Sequence, residues 1–154
     1  MFKKIINNNF RRRFLEDKAK LATVNIDSFL KTNYTGTDIK KDMEEDTKLF
    51  RETMFKFARL ITPIGAVGCY TYTAAVALLM EKLGVEYELY AGLCIPQSLP
   101  SHDEDVKKFK ERIESGKPLN LATHIYLVAN DKEYEYFSGD YSGITKVHVI
   151  KVEV

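Results

Sequence analysis

The sequence predicts an α+β domain, and three observations predict it. Apolar residues recur at helical spacing through the first third, a helix that is apolar nearly all round follows, and alternating segments rich in Val, Tyr and Leu close the chain. Helices first, one buried helix, then an antiparallel sheet is an α+β order. With 154 residues, 45% apolar and 12% aromatic, the chain has the apolar content for a single domain over 1–154 with one core. Within it, 1–64 reads as a helical N-terminal part and 65–154 as the α+β core.

Each element has its own signal. Over residues 9–22, Phe10, Phe14 and Leu21 lie near helical spacing, with Arg11, Arg12 and Arg13 between them. "NYTGTD" is a turn, from which Thr37 or Asp38 can cap the next helix. That helix carries Met43, Leu49, Phe50, Met54, Phe57, Ala58 and Ile61, a stripe close to the 3.6-residue period and suited to core packing. Pro63 and Gly65 end it. "CYTYTAAVALLMEKLG" is the all-round apolar helix, expected at the centre of the fold and stopped by Gly84. "VEYELYAGLCI" alternates as a strand. "SHDEDVKKFKERIESGKP" is a polar helix with a capping box from Ser101 to Glu104, ended by Gly116 and Pro118. "LATHIYLVA", "KEYEYFS" and "TKVHVIKVEV" read as three strands joined by turns at "NDK" and "GDYSG".

Composition removes several function classes. Net charge is +1 with 29% charged residues, so no strong field points to nucleic acid or an anionic membrane as the main partner. "RRRF" with Lys3 and Lys4 reads as a solvated face. "MFKKIINNNFRRRF" lacks the apolar stretch of a signal peptide, and no run approaches the roughly 18 apolar residues of a spanning helix. Cys69 and Cys94 are too few for a disulfide framework. A cytoplasmic protein without a membrane partner is the expectation. The three histidines are isolated and neither cysteine belongs to a C-x-x-C pair, so no metal and no other cofactor is expected.

The chemistry turns on Cys69, which follows Gly68 at the mouth of the apolar helix. A thiol there lies near the positive end of the helix dipole and near free backbone N–H groups. Both favour the thiolate, and the same N–H groups can hold an oxyanion. A nucleophile needs a base, and the base needs an orienter. His124 opens a strand, a rigid position facing the end of a packed helix. His102 lies in a polar, Pro-flanked loop and His148 mid-strand between valines, so both are weaker candidates. An orienter should come from the neighbouring strand. Asp140 at the end of "EYEYFSGD" is the first choice and Ser138 the second, whereas Asp131 is in the turn on the wrong side. Cys94, inside an apolar strand, is read as structural.

"GCYTYTAAVALLMEKLGVEYELYAGL", then "THIYLV", then "EYEYFSGD", resembles the core of the transglutaminase-like superfamily, within the wider papain-like cysteine fold. The resemblance covers roughly residues 65–141. It implies a central helix opened by the cysteine and a later antiparallel sheet, with Cys69 as nucleophile, His124 as base and Asp140 as orienter. Two departures stand out. The chain has no Trp where the family often carries one, though Tyr126 and Tyr136 could substitute, and its single Gln, Gln97, lies downstream of the cysteine. The expected function is a cysteine-dependent acyl transferase or amide or peptide hydrolase acting on a protein or peptide substrate. The alternative is a member that keeps the fold and works as a binding or inhibitory module; the missing Trp and upstream Gln favour it.

Overall fold

Capping divides the first half of the chain. In the computed structural model, which describes residues 2–62, 67–115, 123–136 and 144–154, α1 (Phe2–Ala22) leads to α2 (Ile26–Asn33), α3 (Ile39–Glu44), α4 (Lys48–Ala58) and a 3-10 turn at Arg59–Ile61. Asn25 accepts a hydrogen bond from the Ser28 N–H, Asp38 from that of Lys41, and Thr47 from that of Phe50. Each side chain satisfies a donor that a helix start leaves open. The stripe from Met43 to Ile61 is therefore two helices, not one. Asp46, at φ 48°, turns the chain out of the first, and Thr47 starts the second. The sequence reading also passes over α2, an eight-residue helix whose buried residue is Phe29. So short an apolar pattern is hard to separate from a turn.

Next come α5 (Cys69–Leu83), β1 (Glu88–Pro96), α6 (His102–Ser115), β2 (Thr123–Ala129), β3 (Lys132–Tyr134) and β4 (Ile144–Val152). The α+β class holds. The strands form one antiparallel sheet in the order β3-β2-β1-β4. Only three residues of "KEYEYFS" pair as a strand among those described. His102 begins α6 rather than lying in a loop, and Ser101 donates to the Asp105 carboxylate at 2.8 Å instead of pairing with Glu104. Gly116 and Pro118 lie outside the described residues.

α5 is central because it has no polar face. Residues from Tyr70 to Ala77 are all buried, and Gly84 closes the helix in the left-handed region at φ 70°. On one side α5 meets α1, where Phe14 and Leu21 are buried and the Thr71 hydroxyl donates to Asp17 at 3.2 Å. On the other it meets the sheet, where the Thr73 hydroxyl donates to the Ile125 carbonyl at 3.3 Å. One core cluster runs from Phe14 to Val152, so the helical first third and the sheet share it. Truncating Phe57 within it to Ala would cost about 3–5 kcal/mol.

The sheet's two faces differ. Leu89, Ala91 and Leu93 of β1, with Ile125 and Leu127 of β2 and Ile150 and Val152 of β4, face the core. The opposite face carries Tyr90, Gly92, His124 and Tyr126. Gly92 is in register with His124 on one side and Val149 on the other, and a Cβ there would fall 1.9 Å from the His148 carbonyl oxygen. Only glycine lets β4 come so close. Immediately beyond, Leu93 pairs with His148 and Cys94 with Lys146, which leaves Val147 as a bulge. In an unbroken strand Lys146 would share the face of His148. The bulge moves it onto the face of His124 and Tyr126.

Candidate active site

The helix start of α5 lacks a side-chain cap. Gly68 holds the N-cap position in an extended conformation, with no acceptor to offer the first turn. The first bond along the helix runs from the Tyr72 N–H to the Gly68 carbonyl at 3.1 Å. The N–H groups of Cys69, Tyr70 and Thr71 thus have no partner within the helix, beside a half-buried thiol. Their partial positive charge adds to the dipole there.

His124, the second residue of β2, is in side-chain hydrogen-bond contact with Cys69. Its Nε2 donates to Glu135 Oε1 at 3.1 Å. The two side chains are 12% and 9% exposed. Burial disfavours the imidazolium, but the bonds and charges of Cys69 and Glu135 outweigh it, and the His124 pKa is pushed up to about 9. Burial likewise opposes ionisation of Glu135, and His124 and Lys146 overcome it, holding that carboxyl below its usual range. Cys69 and Glu135 thus favour the charged form of the imidazole between them.

Neighbours clamp this line. The His124 ring stacks on Tyr126 at 5.8 Å between centroids, and Tyr126 on Tyr90 at 5.7 Å. Lys146 lies over the Tyr126 ring, its Nζ 4.5 Å from the centroid, and reaches Glu135 Oε1 at 3.4 Å while also pairing with Glu133. Cys69, His124 and Glu135 therefore form a continuous line of thiol, imidazole and carboxylate, with Lys146 behind the carboxylate.

Of the residues proposed from sequence, Cys69 and His124 are brought together. Asp140 and Ser138 lie outside the described residues, and Asp131 occupies the turn between β2 and β3 at φ 62°. Glu135 was missed, although strand alternation carries its signal. Tyr134 points into the core, its hydroxyl donating to the Met43 carbonyl at 2.9 Å, so Glu133 and Glu135 belong to the other face. Lys146 was missed because nothing local announces the bulge. His102 is held at the start of α6 by Asp103 at 2.8 Å and Thr145 at 2.7 Å, and His148 lies in β4 opposite Leu93. Cys94 is a β1 residue opposite Lys146.

A groove of about 490 Å³ opens beside Glu135. Its floor is aromatic: Tyr136 stacks on Phe55 at 6.2 Å and meets Tyr72 at 5.5 Å between centroids. Tyr72 lies one helical turn beyond Cys69, and Tyr136 directly follows Glu135, so the groove and the thiol share their framework. Of the two tyrosines suggested as replacements for Trp, Tyr126 packs on His124 and Tyr136 lines this groove.

Among the described residues, no three His, Cys, Asp or Glu side chains group as a metal site, and no helix is long and apolar enough to cross a membrane. The chain matches no protein-family model, and no curated protein or solved structure matches it.

Proposed function

We propose that this chain is a cysteine-dependent acyl transferase or amide hydrolase on a transglutaminase-like, papain-type core. One observation carries the reading: a thiol, an imidazole and a carboxylate in line at a helix start whose first-turn donors have no side-chain cap. The Cys69 sulfur attacks a carboxamide or ester carbonyl, and the carbonyl electron pair moves to oxygen, where the first-turn N–H groups of α5 receive it. His124 donates its proton to the leaving amine or alcohol as the tetrahedral adduct collapses to a thioester. Water or an amine then attacks the thioester, its proton passing to His124, and the thiolate leaves. Glu135 holds the imidazole and stabilises its charged form.

The test uses p-nitrophenyl acetate and intact-protein mass spectrometry. An initial burst of p-nitrophenolate with one acetyl adduct on Cys69, absent in Cys69→Ala, is expected. Protection of Cys69 from both this ester and iodoacetamide until denaturant is added would remove the enzyme reading and leave the binding module.

A further inference from the structure

We propose that the groove beside Glu135 binds an acidic peptide segment, with carboxylate side chains on its rim and one apolar side chain on its floor. The proposal rests on the acyl-transfer reading above and names the substrate class of that centre.

Charge carries the argument. Lys48, Arg51, Lys56 and Arg59 line the groove, against the carboxylates Glu52 and Glu135. Both carboxylates are already engaged: Glu52 with Lys48 at 3.8 Å, and Glu135 with His124 and Lys146. Arg51 reaches Asp46 at 3.9 Å, whereas Lys56 and Arg59 make no ion pair with a described carboxylate. The whole chain carries only +1, so four cations against two carboxylates around one groove, with Lys56 and Arg59 outside any described ion pair, are a local excess of positive charge. They come from one helix and the turn after it, and Lys48, Arg51, Phe55 and Arg59 recur at helical spacing on a single face. Arg59 lies over Phe55, its guanidinium 5.8 Å from the ring centroid, so cation and aromatic surface are presented together.

The floor supplies the second half of the specificity. Phe55, Tyr72 and Tyr136 give an apolar bed with a cationic edge, a combination that fits a carboxylate-bearing chain with one apolar anchor. A groove of about 490 Å³ admits a few side chains. A polyphosphate backbone would match the cations, but it offers no carbonyl to the thiol and needs a longer basic track than this one.

The experiment records amide NMR spectra of the Cys69→Ala protein titrated with acetyl-Glu-Leu-Glu-Glu-amide and with its Lys counterpart. The acidic peptide should shift the amides of residues 48–59 and of Tyr136, and added salt should weaken the effect. Changing Lys56→Glu and Arg59→Glu together should weaken binding about tenfold while leaving the spectrum dispersed. Equal binding of the basic peptide, shifts confined to another face, no binding, or tighter binding of a short oligothymidylate at the same residues would each overturn the proposal. The parent reading is scored separately, by acetylation of Cys69 in the unsubstituted protein. Acetylation without peptide binding removes only this inference; peptide binding without acetylation removes the acyl transfer and keeps the groove as a binding site.

Discussion

Two helix starts in this molecule obey the same rule and put it to opposite uses. At α4, Thr47 accepts from the Phe50 N–H at 3.1 Å, and the first helical residue is Lys48, 87% exposed. At α5, Gly68 accepts nothing with a side chain, and the first helical residue is Cys69, half-buried against His124. A capped start contributes about 1 kcal/mol to stability. A glycine start gives up only a few tenths of that and leaves the first-turn donors without a bond from the cap side chain. Gly68 is not forced by space, since a Cβ there would meet nothing within 4 Å. The difference is that the start of α4 carries a side-chain cap and an exposed lysine, and the start of α5 no such cap and a thiol against His124.

The sharpest test moves the thiol. Cys69→Ala should abolish the alkylation by iodoacetamide that mass spectrometry maps to residue 69 near neutral pH. Adding Lys48→Cys to that variant puts a thiol at the matching position of α4. That thiol should behave as an ordinary exposed cysteine, with a reactivity midpoint near about 8.5. If it matched native Cys69 in rate at pH 7, a helix start alone would explain the reactivity and His124 would be irrelevant.

The third member of the line is next in size. Glu135→Gln should lower turnover by about a hundredfold or more, because the amide no longer supports the charged ring. Asp140→Asn is the matched comparison, and a larger loss there would transfer the role to Asp140. The pH dependence of stability reads the same pair. His124 is raised from its ordinary 6.5 to about 9, so its stabilisation is complete below about 6.5 and lost as pH rises through about 9. Denaturant titrations should show that decline in the unsubstituted protein, a smaller one in Glu135→Gln, and none from this source in His124→Ala.

Smaller effects come from the supports. Lys146→Met keeps the packing on Tyr126 but removes the charge beside Glu135, and should slow acetylation of Cys69 by about tenfold. Gly68→Ser gives α5 the cap that α4 has. It should raise stability by a few tenths of a kcal/mol, read as a small rise in Tm, and slow Cys69 several-fold as its hydroxyl takes a first-turn donor. A gain in both stability and reactivity would break the comparison between the two helices.

What the sequence determined by itself is local. A cap at Thr37 or Asp38, which the structure gives to Asp38, the all-round apolar run of α5, its stop at Gly84 and a strand opening around His124 each depend on residues within a turn or two, where side chain and backbone interact directly. Cys69 and His124 were legible for that reason. The division of 39–61 into two helices was missed because apolar spacing continues across the break at Asp46. Tertiary structure alone decided the rest. Glu135 faces His124 because the register of β3 on β2 sends Tyr134 into the core, and Lys146 joins them because one unpaired residue, Val147, turns it across the sheet. The cations of α4 meet the aromatic side chains of 72 and 136 only where helix and sheet pack together. Register, bulge and packing are set by contacts between residues far apart in the chain, whose spacing no local pattern encodes.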